Sequence, residues 1–559
     1  MTGTDGTFDR GASLARLNGG EFDVLVVGAG VTGAGVALDA ASRGLRVALV
    51  ERDDFASGTS SKSSKLVHGG LRYLQQGDVR LVYEALRERK RLRRNAPHLV
   101  SVLPFMIPVL TKDGVVSRRI SRALGSAMWM YDLTGGWRIG RLHRRLRSRA
   151  AAAHFPTMRT ERLSSAYLYF DAEADDARLC LAIVRSASDH GAVVANRCAV
   201  ESVSSTDDRA HTVRVRDGIG GATFDVRARC VVNATGVWAD EIRALDEGTH
   251  PRSIRPAKGV HLTLPWDKVR NDIAVVIPVP RDRRSLFVVP WVPRGDGTFR
   301  FTYVGTTDTD WQGPVDDPQC TSNDIDYVLN ALNASITVPL TREDVTGTWA
   351  GLRPLVVASP DAPSSDRTAD LSRRHSVTVS DSGVVTVTGG KLTTYREMAE
   401  DAVDEVCTIL GIGVRCRTRR LPLRGARGAQ PADPHLRSRH GSDAGAVLAL
   451  VAADPSLGEP LVQGLAYLRA EAIHAVRHEM AVSVDDVLTR RTRARLQDRA
   501  ACVRAARAVA DLIAPELGWD DATRDASVAE FLDECAREDA AASVDEAEYI
   551  ASTDSSHGN

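Results

Sequence analysis

The chain has 559 residues, too many for one compact core, so two or three domains are expected. Its 72 lysines and arginines balance its 72 aspartates and glutamates, and this zero net charge argues against a protein that binds nucleic acid through its overall charge.

Eight cysteines are scattered without a C-x-x-C pair, which predicts free thiols rather than a zinc site. No run approaches roughly 18 consecutive apolar residues, so no membrane-spanning helix is predicted. Residues 1–20 are polar and lack the apolar core of a signal peptide, so we expect a disordered segment.

The first predicted unit is a strand, a turn, a helix and a second strand. Residues 22–51 read FDVLVVGAGVTGAGVALDAASRGLRVALVE. Gly28 allows a tight turn, Gly30 lets the backbone approach a pyrophosphate, and Gly33 lets the helix pack close to the sheet. Glu51 lies 23 residues after Gly28, close to the roughly 20 expected for the acid that binds a ribose hydroxyl. The unit predicts an adenine dinucleotide site.

The segment that follows identifies the dinucleotide. Residues 52–74 are small, hydroxyl-rich and glycine-bearing, and they offer donors to a phosphate-bearing cofactor. Within them, GTSSKSSKLVHGGLRYL (residues 58–74) is similar to the signature of the FAD-dependent glycerol-3-phosphate dehydrogenases of the aerobic, respiratory type. The likeness continues through much of the chain. The resemblance implies FAD as the cofactor and sn-glycerol 3-phosphate as the substrate.

Two elements are predicted after this motif. Residues 79–94 carry apolar side chains at helical spacing among charged ones, and Pro97 ends this amphipathic helix. Residues 100–110 form an apolar, β-rich run that contains Pro104 and Pro108. Proline cannot donate to a ladder, so this strand is predicted at a sheet edge or with an interruption.

The region with the most one-sided charge, strongly positive, lies between residues 118 and 149. Arginines recur there among Met128, Trp129 and Trp137, while Asp132 is the only acid. Basic side chains beside tryptophans suit a helix that rests on anionic lipid headgroups. A solvated arginine face beside a buried helix is the alternative. The resemblance favours the membrane, because that family delivers electrons to membrane quinone.

Further along, residues 166–186 predict a strand followed by a helix. Asp175 and Asp176 stand at the helix start, where acids complement the helix dipole, and a capping role is favoured over a metal site. The strand predicted at 226–232 ends in Asn233-Ala234-Thr235-Gly236, which resembles the second dinucleotide-contacting turn of flavoproteins. A plain strand-to-helix turn is the alternative. Other strands are predicted at 198–203 and 212–215.

An antiparallel sheet is predicted next. Residues 254–333 are mainly strand-like, and such a sheet would cover one face of the flavin and carry substrate contacts. In VTVTGGKLTTYR (residues 385–396) a strand returns into a glycine turn and a helix. A helix N-terminus near Lys391 would stabilise negative charge on a reduced flavin. The strands expected in the sheet are 260–264, 274–278, 286–291 and 299–307.

The composition changes beyond about Leu423, where a Gly-, Pro- and Arg-rich linker precedes helical spacing of alanine, leucine and charged residues. The predicted fold class is α/β, a Rossmann-like FAD-binding domain with an inserted antiparallel-sheet substrate domain, plus a C-terminal all-α domain. In the last domain His474 and His478 precede Glu479, but the order H-A-V-R-H-E is not H-E-x-x-H, so no metal site is predicted. The expected bounds are 21–425 for the FAD-binding domain, about 96–165 and 250–345 for the insertion, 426–545 for the helical domain, and 546–559 for a disordered tail.

Cofactor contacts are predicted along most of the chain. The dinucleotide unit, the hydroxyl-rich segment, the strands that follow and the two later glycine turns supply them. The predicted FAD-binding residues are Gly28, Gly30, Gly33, Glu51, Arg52, Thr59, Ser60, Ser63, Lys65, Gly69, Gly70, Val203, Ala234, Thr235, Gly236, Gly390, Lys391, Leu392 and Thr393.

The resemblance also implies that arginines and a lysine around the flavin hold the substrate phosphate and hydroxyls. Arginine suits phosphate because its planar fork bonds two oxygens and stays charged. The matching positions are Arg72 and Tyr73 in GGLRYL, His261 in KGVH, Arg353 in GLRP, Arg373 in LSRRH and Lys391 in GGKLTTYR.

Three of these residues are the candidate catalytic groups: His261, Arg353 and Lys391. His261 is the leading candidate for the general base, because histidine ordinarily titrates near working pH. Arg353 would orient and polarise the hydroxyl, while Arg373 would help to bind the phosphate. The family often has Arg-Asp-Tyr or Arg-Asp-His where this chain has Arg373-Arg374-His375, which leaves open which arginine faces the site.

The leading hypothesis is oxidation of sn-glycerol 3-phosphate to dihydroxyacetone phosphate, with hydride transfer to FAD and electrons passed to membrane quinone. Such an enzyme would be cytoplasmic and peripheral on the inner face of the plasma membrane, with no nucleic-acid partner. An oxidase that reduces oxygen is a close rival, since substrate motifs do not determine the electron acceptor. The alternative from another functional class is a flavin-binding scaffold that carries out no alcohol chemistry. A homodimer is left open.

Overall fold

The computed structural model describes residues 8–70, 78–110, 118–205, 210–280, 282, 284–356 and 375–556. These residues form two β-sheets, the helices that flank them, and a helical domain at the C-terminal end. Each of the three parts has its own cluster of buried apolar side chains. The predicted α/β class, with an inserted sheet and a helical C-terminal domain, is confirmed.

The first sheet, here called the nucleotide sheet, has eight strands. Its central strand Glu21–Val27 pairs in parallel with a neighbour on each side. These strands are apolar runs, as a parallel sheet covered by helices on both faces requires. In spatial order the strands are Ser376–Val379, Val385–Thr388, Thr223–Asn233, Glu21–Val27, Val47–Val50 and Val193–Ala195, while Cys198–Ser205 and His211–Asp217 form a hairpin that joins at Thr223–Asn233.

Two glycines bring the first helix against this sheet. Gly28 has a φ of +96°, a left-handed conformation that favours glycine. Gly33 lies in helix Val31–Ser42, and a Cβ atom there would lie 1.9 Å from the carbonyl oxygen of Gly28. The helix therefore starts directly at the end of strand Glu21–Val27, which is the close packing predicted for Gly33.

The second sheet, here called the cap sheet, has ten strands and is almost entirely antiparallel. Strand Gly347–Val356 pairs with Ile254–Pro265 over ten residues, and Arg144–Arg147 pairs with Leu163–Ala174. The remaining spatial order is Thr309–Asp310, Ile254–Pro265, Phe299–Gly305, Ser285–Pro293, Ala274–Pro278, Val100–Leu110, Leu163–Ala174 and Leu66–Val67.

Strand Val100–Leu110 lies inside the cap sheet, so the predicted edge position is wrong, whereas the alternative, an interruption, is present as a register shift between Val109 and Leu110. It pairs along its length with Leu163–Ala174 on one side. On the other side Phe105 and Met106 pair in parallel with Ala274–Pro278. Pro104 and Pro108 flank this short ladder, so they limit the pairing on that side without preventing it.

Helices cover both sheets. Residues 322–333 fell in the stretch predicted as mainly strand, but they form a helix that a Thr321–Asp324 capping box starts. Asp175 caps helix Asp176–Asp189 as predicted, whereas the Asp176 carboxylate bonds to other elements. The helices of this part are Val31–Ser42, Val79–Asn95, Arg118–Thr134, Ser148–His154, Asp176–Asp189, Ala239–Glu247, Trp266–Val269, Ser322–Asn333 and Tyr395–Leu410.

The C-terminal domain is built from helices around a separate apolar core. No helix among the described residues combines the length and the apolar character needed to cross a lipid bilayer. The helices of this domain are Pro434–His440, Ala444–Ala453, Arg469–Glu479, Ala494–Gln497, Arg499–Leu517 and Asp521–Ala541.

Both ends of the chain were expected to be disordered, and the structure corrects this for their described parts. Arg10 of helix Arg10–Leu17 forms an ion pair with Asp217 and donates to the carbonyl of Asn196 at 3.1 Å. In helix Glu546–Ser556, Glu546 forms an ion pair with the fully buried Lys258. Contacts distant in sequence stabilise both helices, and local composition does not reveal them.

A buried ionic seam joins the nucleotide-binding part to the helical domain. Asp54 has no exposed surface and accepts hydrogen bonds of 2.6 Å from both Arg490 and Arg491. Asp176 is equally buried and accepts from Arg493 at 3.1 Å. Burial alone would raise the pKa of Asp54, but Arg491 and Arg490 hold that pKa well below its usual range. The name ionic seam is kept below for Asp54, Asp176, Arg490, Arg491 and Arg493.

Candidate cofactor and substrate site

Two adjoining cavities lie between the sheets. The first, of about 360 Å³, opens at the carboxyl ends of the central strands of the nucleotide sheet, where ligands bind in folds of this kind. The second, of about 200 Å³, lies against the cap sheet. Both are lined by Thr59, Pro354 and the turn 389–392, so they form one continuous crevice.

The first cavity collects most of the predicted cofactor residues. Helix Val31–Ser42 begins at its wall, and the peptide N–H of Val31 donates to the Ser60 hydroxyl at 2.8 Å. The Glu51 carboxylate accepts hydrogen bonds from the backbone of Ala29 at 2.7 Å and of Asp53 at 3.0 Å. The predicted residues that line this cavity are Gly28, Gly30, Glu51, Arg52, Thr59, Ser60, Ala234, Thr235, Gly236, Gly390, Lys391 and Leu392.

The second cavity is bordered by basic and hydroxyl side chains. Predicted residues Ser63, His261, Arg353, Lys391 and Thr393 all line it. The ladder between strands Ile254–Pro265 and Gly347–Val356 pairs His261 with Trp349 and Ala257 with Arg353. The two pairs lie four residues apart along each strand. Side chains alternate between the two faces of a sheet, so an even spacing places His261 and Arg353 on the same face of the cap sheet.

His261 is almost completely buried, with 3% of its surface exposed. Its Nε2 atom shares a 2.8 Å hydrogen bond with the Ser64 hydroxyl, and its ring stacks on Trp349 with centroids 4.8 Å apart. Burial, together with the positive charges of Lys65 and Arg353, lowers the pKa of His261 well below its ordinary value. The imidazole is therefore neutral at physiological pH.

The Arg353 guanidinium is fixed by three neighbours in the loop after strand Phe299–Gly305. It donates to the Asp308 carboxylate at 3.1 Å, to the Thr306 hydroxyl at 3.0 Å and to the Thr307 carbonyl at 3.0 Å. A planar cation held in one direction at a cavity wall suits an anionic or hydroxyl-bearing ligand.

Comparisons with known proteins agree with this arrangement. Residues 23–396 match the family model described as FAD dependent oxidoreductase, and residues 416–524 match the C-terminal domain of alpha-glycerophosphate oxidase. Over 548 residues the chain is 41% identical to glycerol-3-phosphate dehydrogenase 2 of Mycobacterium tuberculosis, which covers 94% of this chain and 90% of that protein. The chain belongs to the FAD-dependent glycerol-3-phosphate dehydrogenase family.

Two further relatives support this family membership. The mitochondrial glycerol-3-phosphate dehydrogenase of Arabidopsis thaliana is 36% identical over 554 residues, which covers 91% of this chain and 85% of that protein. The X-ray structure of glycerol-3-phosphate dehydrogenase from Bacillus halodurans, complexed with FAD, superposes with a TM-score of 0.74 at 29% identity. That superposition covers 94% of this chain and 96% of the other.

The first cavity fits the family cofactor, FAD. A helix N-terminus without a side chain at Gly30 can approach a pyrophosphate, and a Cβ at Gly30 would come within 3.1 Å of the Ser60 hydroxyl. Burial raises the pKa of Glu51 to about 7, although the amides of Asp53 and Ala29 bond to its carboxylate. Glu51 would hold a ribose hydroxyl of bound FAD, and the helix start would hold its phosphates.

Several predicted FAD contacts lie away from both cavities among the described residues. The Lys65 ammonium group is buried against Asp176 at 3.3 Å and lies over the Trp349 ring. Val203 is buried in its strand, while Val200 and Cys198 of the same strand line the first cavity. Gly33 acts through helix packing. The Gly69 amide donates to the buried Asp171, and Gly70 is the next residue in the chain. Arg72, Tyr73 and Arg373 lie outside the described residues.

Sequence reasoning missed the second histidine of the site. His68 lines the second cavity with His261 and Arg353, and the Thr393 hydroxyl bridges its backbone amide and carbonyl. Its position in LVHGG, inside the motif that carries the family resemblance, was the available signal. Lys62, Ser64 and Thr306 of the same cavity were also missed.

The histidine cluster of the helical domain differs from the sequence trio His474, His478 and Glu479, at which no metal site is predicted. His440, His474 and Glu479 bring their ligand atoms within 4.8 Å of one another. However, Arg178 donates to both Glu479 oxygens, at 2.8 and 2.7 Å, and to the Nδ1 atom of His440 at 3.2 Å. A guanidinium in this position repels a metal cation, so we assign no metal here.

The pKa of Glu51 gives a test of the first cavity. A ribose hydroxyl donates to the ionised carboxylate, so the affinity of the apoprotein for FAD should increase between pH 6 and pH 8 as Glu51 loses its proton. Glu51→Gln should weaken binding by about 10- to 100-fold at pH 8, equivalent to about 1.5–3 kcal/mol, and should remove the pH dependence. Quenching of flavin fluorescence measures both effects.

Glu21→Gln is the matched control, because Glu21 is exposed at the start of strand Glu21–Val27, at the end of the nucleotide sheet away from the first cavity. This variant should bind FAD like the unaltered protein at both pH values. An unchanged pH dependence in Glu51→Gln would remove Glu51 from the cofactor site.

Proposed function

We propose that the protein oxidises sn-glycerol 3-phosphate to dihydroxyacetone phosphate and passes the electrons to membrane quinone. The observation that carries this proposal is the Arg353 guanidinium, fixed in one direction at the cavity that adjoins the FAD cavity. Lys391 and two histidines border the same space. The names of the relatives supply the substrate class, and the basic lining is compatible with its dianionic phosphate.

The reaction divides the tasks among named groups. Bound FAD would accept the hydride from the carbinol carbon. Arg353 orients and polarises the hydroxyl, and Lys391, at the start of the turn Leu392–Thr394 before helix Tyr395–Leu410, places positive charge where the cavities meet. Arg72, Tyr73 and Arg373 stay predicted substrate contacts, outside the described residues.

The hydroxyl proton needs a base, and the geometry favours His68 over His261. The Nε2 atom of His261 is occupied by Ser64, and its lowered pKa means that the imidazole holds a proton poorly. His68 is only half-buried and lines the same cavity. We assign proton removal to His68, and to His261 the orientation of the Ser64 hydroxyl, which also lines the cavity.

Anaerobic addition of substrate tests the alcohol chemistry directly. sn-Glycerol 3-phosphate should bleach the visible flavin absorbance of the purified holoprotein, whereas glycerol, which lacks the phosphate, should not at equal concentration. No bleaching would favour the flavin-binding scaffold. Turnover with a quinone analogue should exceed turnover with oxygen alone, and rapid peroxide formation without quinone would identify an oxidase instead.

A pair of histidine variants tests the base. His68→Gln should lower kcat by about 100-fold or more, in the range for loss of a general base, and should remove the acidic limb of the pH profile. His261→Gln should lower kcat by less than about 10-fold, because glutamine can still bond to Ser64, and should retain the acidic limb. Both variants should retain FAD. The opposite result, a large loss of kcat and of the acidic limb only in His261→Gln, would identify His261 as the base.

An exposed apolar and basic surface supports the membrane part of the proposal. Trp129, Met130, Leu133, Trp137 and Leu142 are 44–77% exposed and lie close together in sequence. Exposed arginines lie beside and after them at 141, 144, 145, 147 and 149, while the only acid of this stretch, Asp132, is buried against His143. Rings that enter the headgroup layer and cations that meet anionic lipids suit peripheral attachment at an inner membrane face.

Vesicle binding tests this surface. The variant Trp129→Ser/Leu133→Ser/Trp137→Ser should bind phosphatidylglycerol vesicles at least about tenfold more weakly than the unaltered protein in sedimentation, because less apolar surface enters the lipid. Binding of the unaltered protein should also weaken with added salt.

The control Ile219→Ser/Leu448→Ser/Val503→Ser removes exposed apolar side chains elsewhere and should bind normally. Equal binding by the two triple variants would contradict the membrane assignment. A change from dimer to monomer in the first variant, without vesicles, would assign the surface to a homodimer instead.

A further inference from the structure

The hydroxyl-rich loop 58–65 borders both cavities, and contacts from three directions hold it. The Thr59 hydroxyl donates to the Leu352 carbonyl at 2.6 Å, while the Trp349 indole N–H and the Tyr303 hydroxyl donate to the carbonyls of Ser63 and Ser64. These contacts come from the cap sheet. From the helix start, Asp176 accepts from the backbone N–H of Ser63 at 3.0 Å and from its hydroxyl at 2.7 Å.

The third direction is the helical domain, which reaches the loop through Arg493. The Arg493 guanidinium donates to the carbonyl of Ser61 and to the Asp176 carboxylate, the latter at 3.1 Å. Its other terminal nitrogen donates to the Thr489 carbonyl at 3.1 Å inside its own domain. Arg493 therefore joins the loop, the carboxylate that holds the loop, and the helical domain.

Arg493 is deeply buried and has an unusual backbone conformation. Only 1% of its surface is exposed, and its backbone has a φ of +86°, a conformation that side-chain-bearing residues rarely adopt. Lys65, the second cation on Asp176, also has a left-handed backbone, with a φ of +57°. Two unusual backbone positions thus bring two cations to one buried carboxylate beneath the loop.

The segment after Arg493 holds the strands that carry the substrate residues. The Thr263 hydroxyl donates to the Leu496 carbonyl at 2.6 Å, and the Thr346 hydroxyl donates to the Gln497 carbonyl at 2.6 Å. Thr263 follows His261 in one strand, and Thr346 directly precedes the strand of Arg353. The contact is close, since a Cβ at Gly347 would lie 2.3 Å from the Leu496 carbonyl oxygen.

We propose that Arg493 is a positioning residue for FAD, through which the helical domain holds loop 58–65 in its cofactor-binding conformation. Arg493 lines neither cavity among the described residues, so it acts through Ser61 and Asp176. This assignment gives the helical domain a role at the cofactor. It rests on the FAD site and is independent of the substrate and the electron acceptor.

FAD binding to the apoprotein of the full chain tests the assignment. Arg493→Gln should raise the Kd for FAD by at least about tenfold and should change the visible circular dichroism of the flavin in the reconstituted holoprotein. Arg493→Lys keeps one charged nitrogen for Ser61 and Asp176, which share a single nitrogen of Arg493, but has no second nitrogen for the Thr489 carbonyl in the helical domain. It should give a smaller increase, about threefold.

Arg495→Gln is the matched control. Arg495 is also buried and pairs with Asp485, Glu534 and Glu538, all within the helical domain, so its loss should lower Tm to a similar degree. A purely structural role for Arg493 would make the two glutamine variants alike in FAD affinity and in flavin dichroism, and that result would overturn the proposal. If Arg493→Gln does not fold, an unaltered Kd in Arg493→Lys would overturn it equally.

Discussion

Asp54 and Asp176 have no exposed surface, and a carboxylate in that position is stable only when cations and hydrogen-bond donors surround it. The cations come mainly from residues 490–493, more than 300 residues later in the chain. Removing one partner of a buried ion pair typically costs about 3–5 kcal/mol, because the remaining charge has no compensation. The ionic seam therefore makes the helical domain part of the cofactor-binding half of the molecule.

The crevice beside the ionic seam has two walls of different character. The nucleotide sheet offers backbone groups and a helix start for phosphates, whereas the cap sheet offers side chains from one face. The two sheets approach each other along loop 58–65, which belongs to both walls. A shift of that loop would change both cavities together, and long-range hydrogen bonds from the cap sheet and the helical domain hold it in place.

Features that neighbouring residues determine could be predicted from the sequence. Gly28 and Gly33 are required by a tight turn and by close packing only a few residues apart, and Asp175 caps the helix that follows it. Lys65 could not be placed in this way, because it turns inward toward Asp176, 111 residues away. The interior position of strand Val100–Leu110 could not be predicted for the same reason, since its second partner follows about 170 residues later.

The same difference between features set by neighbouring residues and features set by distant residues applies to the candidate site. The motif residues that bring backbone or small side chains to the cofactor, such as Gly30 and Thr235, line the first cavity as expected. His68 was missed although it lies in the family motif, because the residues that join it at the second cavity come from the cap sheet and from the turn 389–392, which are distant in sequence. The helices at both ends were missed because single ion pairs to distant residues, Arg10 with Asp217 and Glu546 with Lys258, help to hold them.

The pair of Glu546 and Lys258 has a consequence for how the cap keeps its helices together. Lys258 is fully buried in strand Ile254–Pro265, and its ammonium group lies 2.8 Å from Asp324 and also pairs with Glu546. One cation therefore stands between two carboxylates that would otherwise repel each other. Neutralising this single side chain would loosen helices Ser322–Asn333 and Glu546–Ser556 from the strand together, because each starts beside one of these carboxylates.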